Sequence, residues 1–400
     1  MKTIKNNTFE MGYLILLALT LLSCNNEKSE IVDDYMTIYE KEPTIHQIDQ
    51  NNRLINKMKR ATMLHLEENP NVELNWGISL NILNAVLIID DRINSNLHPD
   101  LRKGLFEKPG RYNAIVRMNI TGTGAARLSL RIAIPESMET LNESTSLSFD
   151  GFKQIDILLA ENFKCFFLAP DVETINYGLD LREKKSILSF LSNPFKAFKL
   201  LRAKKYGLED LNNTQGFFGK SYYGGLPFKL GPGAMKWGIE PLQSHTLVGN
   251  EIPGGLPGFD MTGSEEEAAM VYKKSLESFF NKNNSALFNF VIQVANHPSH
   301  NINISNELWD EKLSPYLPVG RLIFPSPEDL PDESIVDEYK NDLQFNPWNQ
   351  LKAHRPLGNM NRARYEIYKE HSKTRSKHME MKPKLVRCPI HQVNISNPTF

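Results

Sequence analysis

The sequence predicts an α+β fold organised around an antiparallel β-barrel. Three observations support that expectation. Apolar, β-branched runs of strand length recur along the chain, including Ile78–Ile89, Leu287–Val294 and Pro318–Phe324. Long excursions, rather than compact helical crossovers, separate these runs, which argues against alternating β-α units. Helical patterns gather late, with a closing helix expected from Asn359.

At the N-terminus, Lys2 and Lys5 precede an apolar segment from Met11 to Leu22 that is too short for a stable membrane span. Leu21-Leu22-Ser23-Cys24 follows, then the polar Asn25-Asn26-Glu27-Lys28. This pattern resembles a bacterial lipoprotein lipobox. It implies a signal peptide over 1–23, lipidation at Cys24, and an extracytoplasmic protein held to the membrane by acyl chains alone. Residues 24–55 read as a tether with a short helix, 56–382 as one domain, and 383–400 as an irregular tail.

Within the domain, further strands are expected at Ala114–Ile120, Leu128–Ile134, Asp156–Leu159, Ser221–Tyr223 and Met235–Ile239. A helix is expected between Ser186 and Tyr206. Its basic side (Lys196, Lys199, Arg202, Lys204, Lys205) reads as a solvated face. The Gly/Pro-rich stretch Gly249–Gly263 lacks a phosphate-loop lysine and is a long loop.

Composition narrows the function. With 40% hydrophobic and 23% charged residues and a net charge of -1, the chain offers no basic excess for nucleic acid. Three cysteines, Cys24, Cys165 and Cys388, support neither a disulfide framework nor a cysteine zinc site.

The informative chemistry lies near the end. On a helix, Arg364, Tyr368, His371 and Arg375 fall at i, i+4, i+7 and i+11 and share one face. A guanidinium one turn from a phenol favours the phenolate, an oxygen ligand for ferric iron. Alone, the stripe also reads as a solvated row of ion-pair formers.

The order of motifs resembles the haem catalase superfamily, in its compact bacterial branch without a C-terminal flavodoxin-like domain. The strings are Leu97–Phe106 with Arg111–Arg117, Arg127 to Arg131, Asn162 before Phe166-Phe167, Leu226-Pro-Phe, Met235-Lys-Trp, Leu313–Val319, and Phe345-Asn-Pro-Trp348 before His354–Gly358. The resemblance spans about Met58 to Arg375. It implies haem as cofactor, Tyr368 as its axial iron ligand, and Arg364 as the charge partner of that tyrosine. It also implies Arg375 near a propionate, Arg117 directed at the haem, and Asn162 as the distal amide. Leu128 stands where the family places a glycine.

A second position departs from the family's pattern. The distal histidine falls five residues before Gly77, which here is Val72. His65 lies further upstream, and Glu73 is the titratable neighbour. A positioned acid–base group is worth about 10²–10⁴-fold in rate, so reduced disproportionation of hydrogen peroxide is expected. The resemblance therefore implies a haem lipoprotein acting on hydrogen peroxide or organic hydroperoxides. Its alternatives are a non-catalytic haem binder used for storage, sensing or partner contact, and a barrel without haem.

Overall fold

The computed structural model describes residues 42–68, 78–120, 126–141, 153–165, 169–184, 193, 195–197, 215–245, 265–326 and 343–378. Cys24, Val72, Glu73, Gly77, Phe166-Phe167, the loop Gly249–Gly263 and Cys388 lie outside them.

Among the described residues, nine strands form one sheet: β1 (Ile78–Ile89), β2 (Gly110–Ile120), β3 (Ala126–Ile134), β4 (Lys153–Glu161), β5 (Tyr222–Tyr223), β6 (Phe228–Leu230), β7 (Gly233–Pro241), β8 (Ser285–Val294) and β9 (Tyr316–Pro325). Eight of them close on themselves in the order β1-β2-β3-β4-β5-β7-β8-β9, every pairing antiparallel, while β6 hairpins onto β7. Closure passes through the two-residue β5, where Ala160 pairs Tyr223 and Tyr223 pairs Gly238. Closing the ring removes sheet edges that would otherwise template aggregation.

Alternation decides which side chains fill the barrel. Tyr112, Ala114, Val116, Met118 and Ile120 of β2 point inward, as do Ala126, Leu128, Leu130, Ile132 and Ile134 of β3. Trp237, Phe288, Phe290 and Phe324 complete the same core. Leu128 is therefore a filling residue, 1% exposed. Its departure from the expected glycine leaves the outer wall untouched.

Among the described residues the helices of five residues or more are α1 (Ile45–Glu68), the single-turn α2 (Arg92–Asn96), α3 (Val172–Lys184), α4 (Glu265–Phe280) and α5 (Gly358–His378). The first is much longer than the short helix expected within 24–55, because Leu54 and Met58 pack on Val172, Met360 and Ala363. The fourth inserts Ala269, Tyr272, Leu276 and Phe279 into the barrel core. Of the helix expected over 186–206, residues 195–197 are described as helical, and Lys196 pairs with Glu173 at 2.6 Å. Among the described residues no helix is long and apolar enough to cross a membrane.

Candidate functional site

The site is built on α5, which rests on the strap of residues 343–350 that runs along the outer wall of the barrel. Its entry is Gly358, with φ +82°, where an added Cβ would collide with the carbonyl oxygen of Ile302. Glycine alone fits that left-handed turn. Asn361, fully buried, then braces the first turns. Its Nδ2 donates to the Pro227 carbonyl at 2.9 Å and to the Leu357 carbonyl at 3.0 Å. Trp348 Nε1 donates to the Asn361 carbonyl at 2.7 Å.

The same asparagine aims the charge. Arg364 Nη1 donates to Asn361 Oδ1 at 3.2 Å, and Arg364 Nη2 lies 3.5 Å from the Tyr368 hydroxyl. The guanidinium carbon is 5.5 Å from the Tyr368 ring centroid. At that separation the contact acts mainly as a positive charge beside a phenol, since 3.5 Å exceeds the usual hydrogen-bond range.

Helix α1 covers the other side of α5. Asn51 and Asn359 exchange side-chain hydrogen bonds at 3.1 and 3.2 Å. Lys57 and Arg53 both pair with Asp180 of α3. His371 lines a small gap with Ile55, Met58, Lys59 and Thr62 of α1, beside Ile367 and Glu370. The one-face expectation thus splits: Arg364 and Tyr368 meet, whereas His371 turns towards α1. Arg375 is on the α5 backbone, and its side chain lies outside the described residues. His65 falls in the last turns of α1.

The barrel wall contributes arginines from outward positions. Arg117 donates to the Leu343 carbonyl at 2.9 Å, with its guanidinium 4.8 Å from the centre of Phe345. Arg131 stacks on the same ring at 5.0 Å and is paired with Asp156. The strap Leu343–Gln350 is tied down by the Asp156 amide donating to the Asn349 carbonyl at 2.7 Å and the Asn346 amide to Asp156 Oδ2 at 3.0 Å. Ser372 of α5 hydrogen-bonds Gln344 of that strap.

Arg127 also faces outward, opposite Asn119 of β2 and Ala160 of β4. Burial holds its guanidinium below the ordinary value; the Tyr368 oxygen pulls it up and the Arg364 charge pushes it further down. Tyr368 thus has two cations as electrostatic neighbours, Arg364 on its own helix and Arg127 on the barrel. Among the described residues, neither Arg127 nor Arg364 has a carboxylate partner. Sequence reasoning placed Arg127 on its strand without a role, and it passed over Asn361; the asparagine's only signal is its place three residues before Arg364.

Asn162 ends β4 in a left-handed turn, with φ 49°. Its amide donates to the Ser221 carbonyl at 3.0 Å, and its own carbonyl accepts from the Lys164 amide at 2.9 Å. Asparagine tolerates this conformation better than most residues, so the turn already accounts for its identity.

No family model matches the chain, and no curated protein does. Solved structures do. Catalase A from Saccharomyces cerevisiae superposes with a TM-score of 0.51 at 11% identity, covering 80% of this chain and 63% of that one. A bacterial catalase gives 0.49 at 13% identity, covering 80% and 60%. The chain spans less than two thirds of the length of either neighbour. Its fold is catalase-like.

Proposed function

We propose that this protein binds haem between α5 and the outer barrel wall, with Tyr368 as the iron ligand, and acts on hydrogen peroxide or organic hydroperoxides. The observation behind this reading is the charge balance around Tyr368. Two guanidiniums, Arg364 and Arg127, bear on one phenol and lack any carboxylate of their own among the described residues. Partly desolvated cations without counter-charge are costly. A phenolate ligand together with a carboxylate-bearing cofactor is the chemistry that would balance them, so the residues present fit haem. Arg117 and Arg375 are the further arginines proposed to serve it.

Bound haem would supply the ferric iron at which peroxides react. The chain's own contributions are distinct from that. Arg364 places its guanidinium 3.5 Å from the Tyr368 oxygen, and Asn361 fixes Arg364 on the helix. Phe345 packs under the Arg117 guanidinium and holds it against the wall. Asn162 is proposed to orient a peroxide oxygen through its amide. With Val72 in place of an acid–base residue, classical disproportionation should be reduced. A non-catalytic haem binder is the second reading, and Val72 is the residue that favours it. We further propose that Cys24 is lipidated, placing the protein outside the cytoplasm on a membrane anchor.

The test is a visible spectrum of the purified full chain supplied with haem, recorded for wild type and Tyr368→Phe. A high-spin ferric tyrosinate spectrum lost in the variant is expected. Absence of haem uptake by the wild type would overturn both readings. Peroxide turnover of wild type against Val72→His then separates enzyme from binder: weak wild-type turnover with a gain in the variant is expected. Fast wild-type turnover would show that another group does the acid–base work.

A further inference from the structure

We propose that the start of α1, together with Phe195 and Ile304, forms a surface that docks on an anionic lipid bilayer, with Ile45, Ile48 and Phe195 entering the headgroup layer. The inference rests on the lipid-anchor reading above and adds to it the face that the anchored protein turns to the membrane.

Large apolar side chains stand exposed at this end of the molecule: Ile45 is 81% exposed, Phe195 68%, Ile48 44% and Ile304 42%. Singly, such residues are ordinary surface; gathered, they mark a contact face. Polar contacts gather them around the start of α3. Glu173 pairs with His46 at 3.5 Å and with Lys196 at 2.6 Å, so it joins the turn that carries Ile45 to the residue next to Phe195. Asn176 donates to the Gln50 carbonyl at 2.8 Å and holds the turn of Ile48 against the same helix. Ser305 Oγ donates to the Ala169 carbonyl at 2.6 Å, just before α3 begins, which brings Ile304 to that end. Farther along α1, Leu54 and Met58 are packed against α3 and α5. Ile45 and Ile48 lie before that packing and keep their apolar surface in solvent.

The occupant is argued from the chain itself. About twenty residues separate Cys24 from Ile45, which limits the reach of an acyl anchor to about 75 Å and leaves α1 the first described helix behind it. A face beside the anchored segment meets the bilayer at high effective concentration, so a contact too weak to hold the free protein suffices. The sequence supplies matching charge. Between Phe195 and Leu208 lie Lys196, Lys199, Arg202, Lys204 and Lys205 and no acidic residue, a composition that anionic headgroups attract. A second copy of the chain docked symmetrically on this face would set that basic stretch against itself.

The test is tryptophan quenching in the full acylated chain, reconstituted on phosphatidylethanolamine–phosphatidylglycerol vesicles whose acyl chains carry bromine. Bromine there quenches only an indole that reaches the acyl boundary. Phe195→Trp is expected to add a quenched component to the wild-type emission. Met270→Trp, at an exposed position on α4 outside the patch, is expected to add an unquenched one. Adding Ile45→Ser and Ile48→Ser to Phe195→Trp should remove most of the quenching. All these positions are exposed, so the fold is kept in each variant. No quenching in Phe195→Trp, or equal quenching in Phe195→Trp and Met270→Trp, would overturn the proposal. Quenching as strong on neutral phosphatidylcholine vesicles would overturn the anionic bilayer as the partner. Dimers in detergent that Ile45→Ser dissociates, without quenching on vesicles, would assign the face to a second copy instead. A chain whose Cys24 carries no acyl group is recognised by its mass before reconstitution; it strikes the anchor reading and the docking face with it. An acylated chain without quenching strikes the docking face alone.

Discussion

Arg131 and Asp156 are locked face to face on the outside of the barrel, each at most 1% exposed, through two parallel hydrogen bonds of 2.8 and 2.9 Å. They sit directly opposite in the β3–β4 register, so the pair costs no distortion of the sheet. Asp156 also receives the Asn346 amide at 3.0 Å, which makes the pair an anchor for the strap beneath α5.

Breaking that pair on one side should be far worse than removing it. Asp156→Ala leaves a buried guanidinium uncompensated and is expected to cost about 3–5 kcal/mol. Replacing both residues by apolar ones of similar volume should recover most of the loss. Urea unfolding of the single and double variants checks this; equal midpoints for the two would contradict it.

Asn361→Leu should act on both stability and site. It removes the donors to Pro227 and Leu357 and the acceptor for Arg364. The Pro227 carbonyl keeps the Leu357 amide at 2.9 Å, so the cost is that of the lost side-chain hydrogen bonds, about 0.5–1.5 kcal/mol each. Loss of the Arg364 brace should also perturb any Tyr368-dependent absorption. A variant with reduced stability and an unaltered spectrum would confine Asn361 to folding.

Gly358→Ala tests the entry of α5. The positive φ and the Ile302 carbonyl leave no room for a methyl, and strain of about 1–3 kcal/mol is expected. Because α5 carries Tyr368, haem retention should fall together with the melting temperature. Wild-type retention at a lowered melting temperature would show that the helix start tolerates displacement.

Acid should destabilise the fold well before most carboxylates protonate. His354 is fully enclosed; the Leu105 amide donates to its Nε2 at 3.0 Å, while its Nδ1 sits 3.2 Å from the Lys229 carbonyl. Burial pushes this ring down to about 4, and likewise His245, beside Ser275. An unfolded histidine titrates near ~6.5, so between these values the unfolded chain binds the extra protons. Their contribution is complete above about pH 6.5, falls by about 1.4 kcal/mol per unit for each ring as pH drops towards 4, and levels off below. Urea midpoints at pH 7 and pH 5 measure it; equal midpoints would show that the rings can charge without unfolding.

Legibility in the sequence followed the length and regularity of each element. The strand expected over Ile78–Ile89 is observed with the same ends, and those in Ser285–Val294 and Tyr316–Pro325 were read to within two or three residues. Long β-branched runs declare themselves because one face must be apolar along their whole length. The strand expected at Ser221–Tyr223 is observed as the two-residue β5, whereas the three-residue β6 was illegible, since so few residues hold no period. Helix α4 was passed over although Ala269, Tyr272, Leu276 and Phe279 have helical spacing.

The same division runs through the site. Arg364 and Tyr368 lie on one helix, and spacing alone determined that they would meet, because a helix brings i and i+4 together whatever surrounds it. Leu128 looked like a loss of the expected pattern until the strand register placed it inside the barrel. Arg127 and Tyr368 are separated by most of the chain, and no local rule relates them. Only the tertiary fold makes the guanidinium an electrostatic neighbour of the phenol, because that depends on which face of β3 points outward. The sequence by itself determined the phenol and its neighbouring charge. The tertiary structure decided that a second charge, with no carboxylate partner among the described residues, faces them.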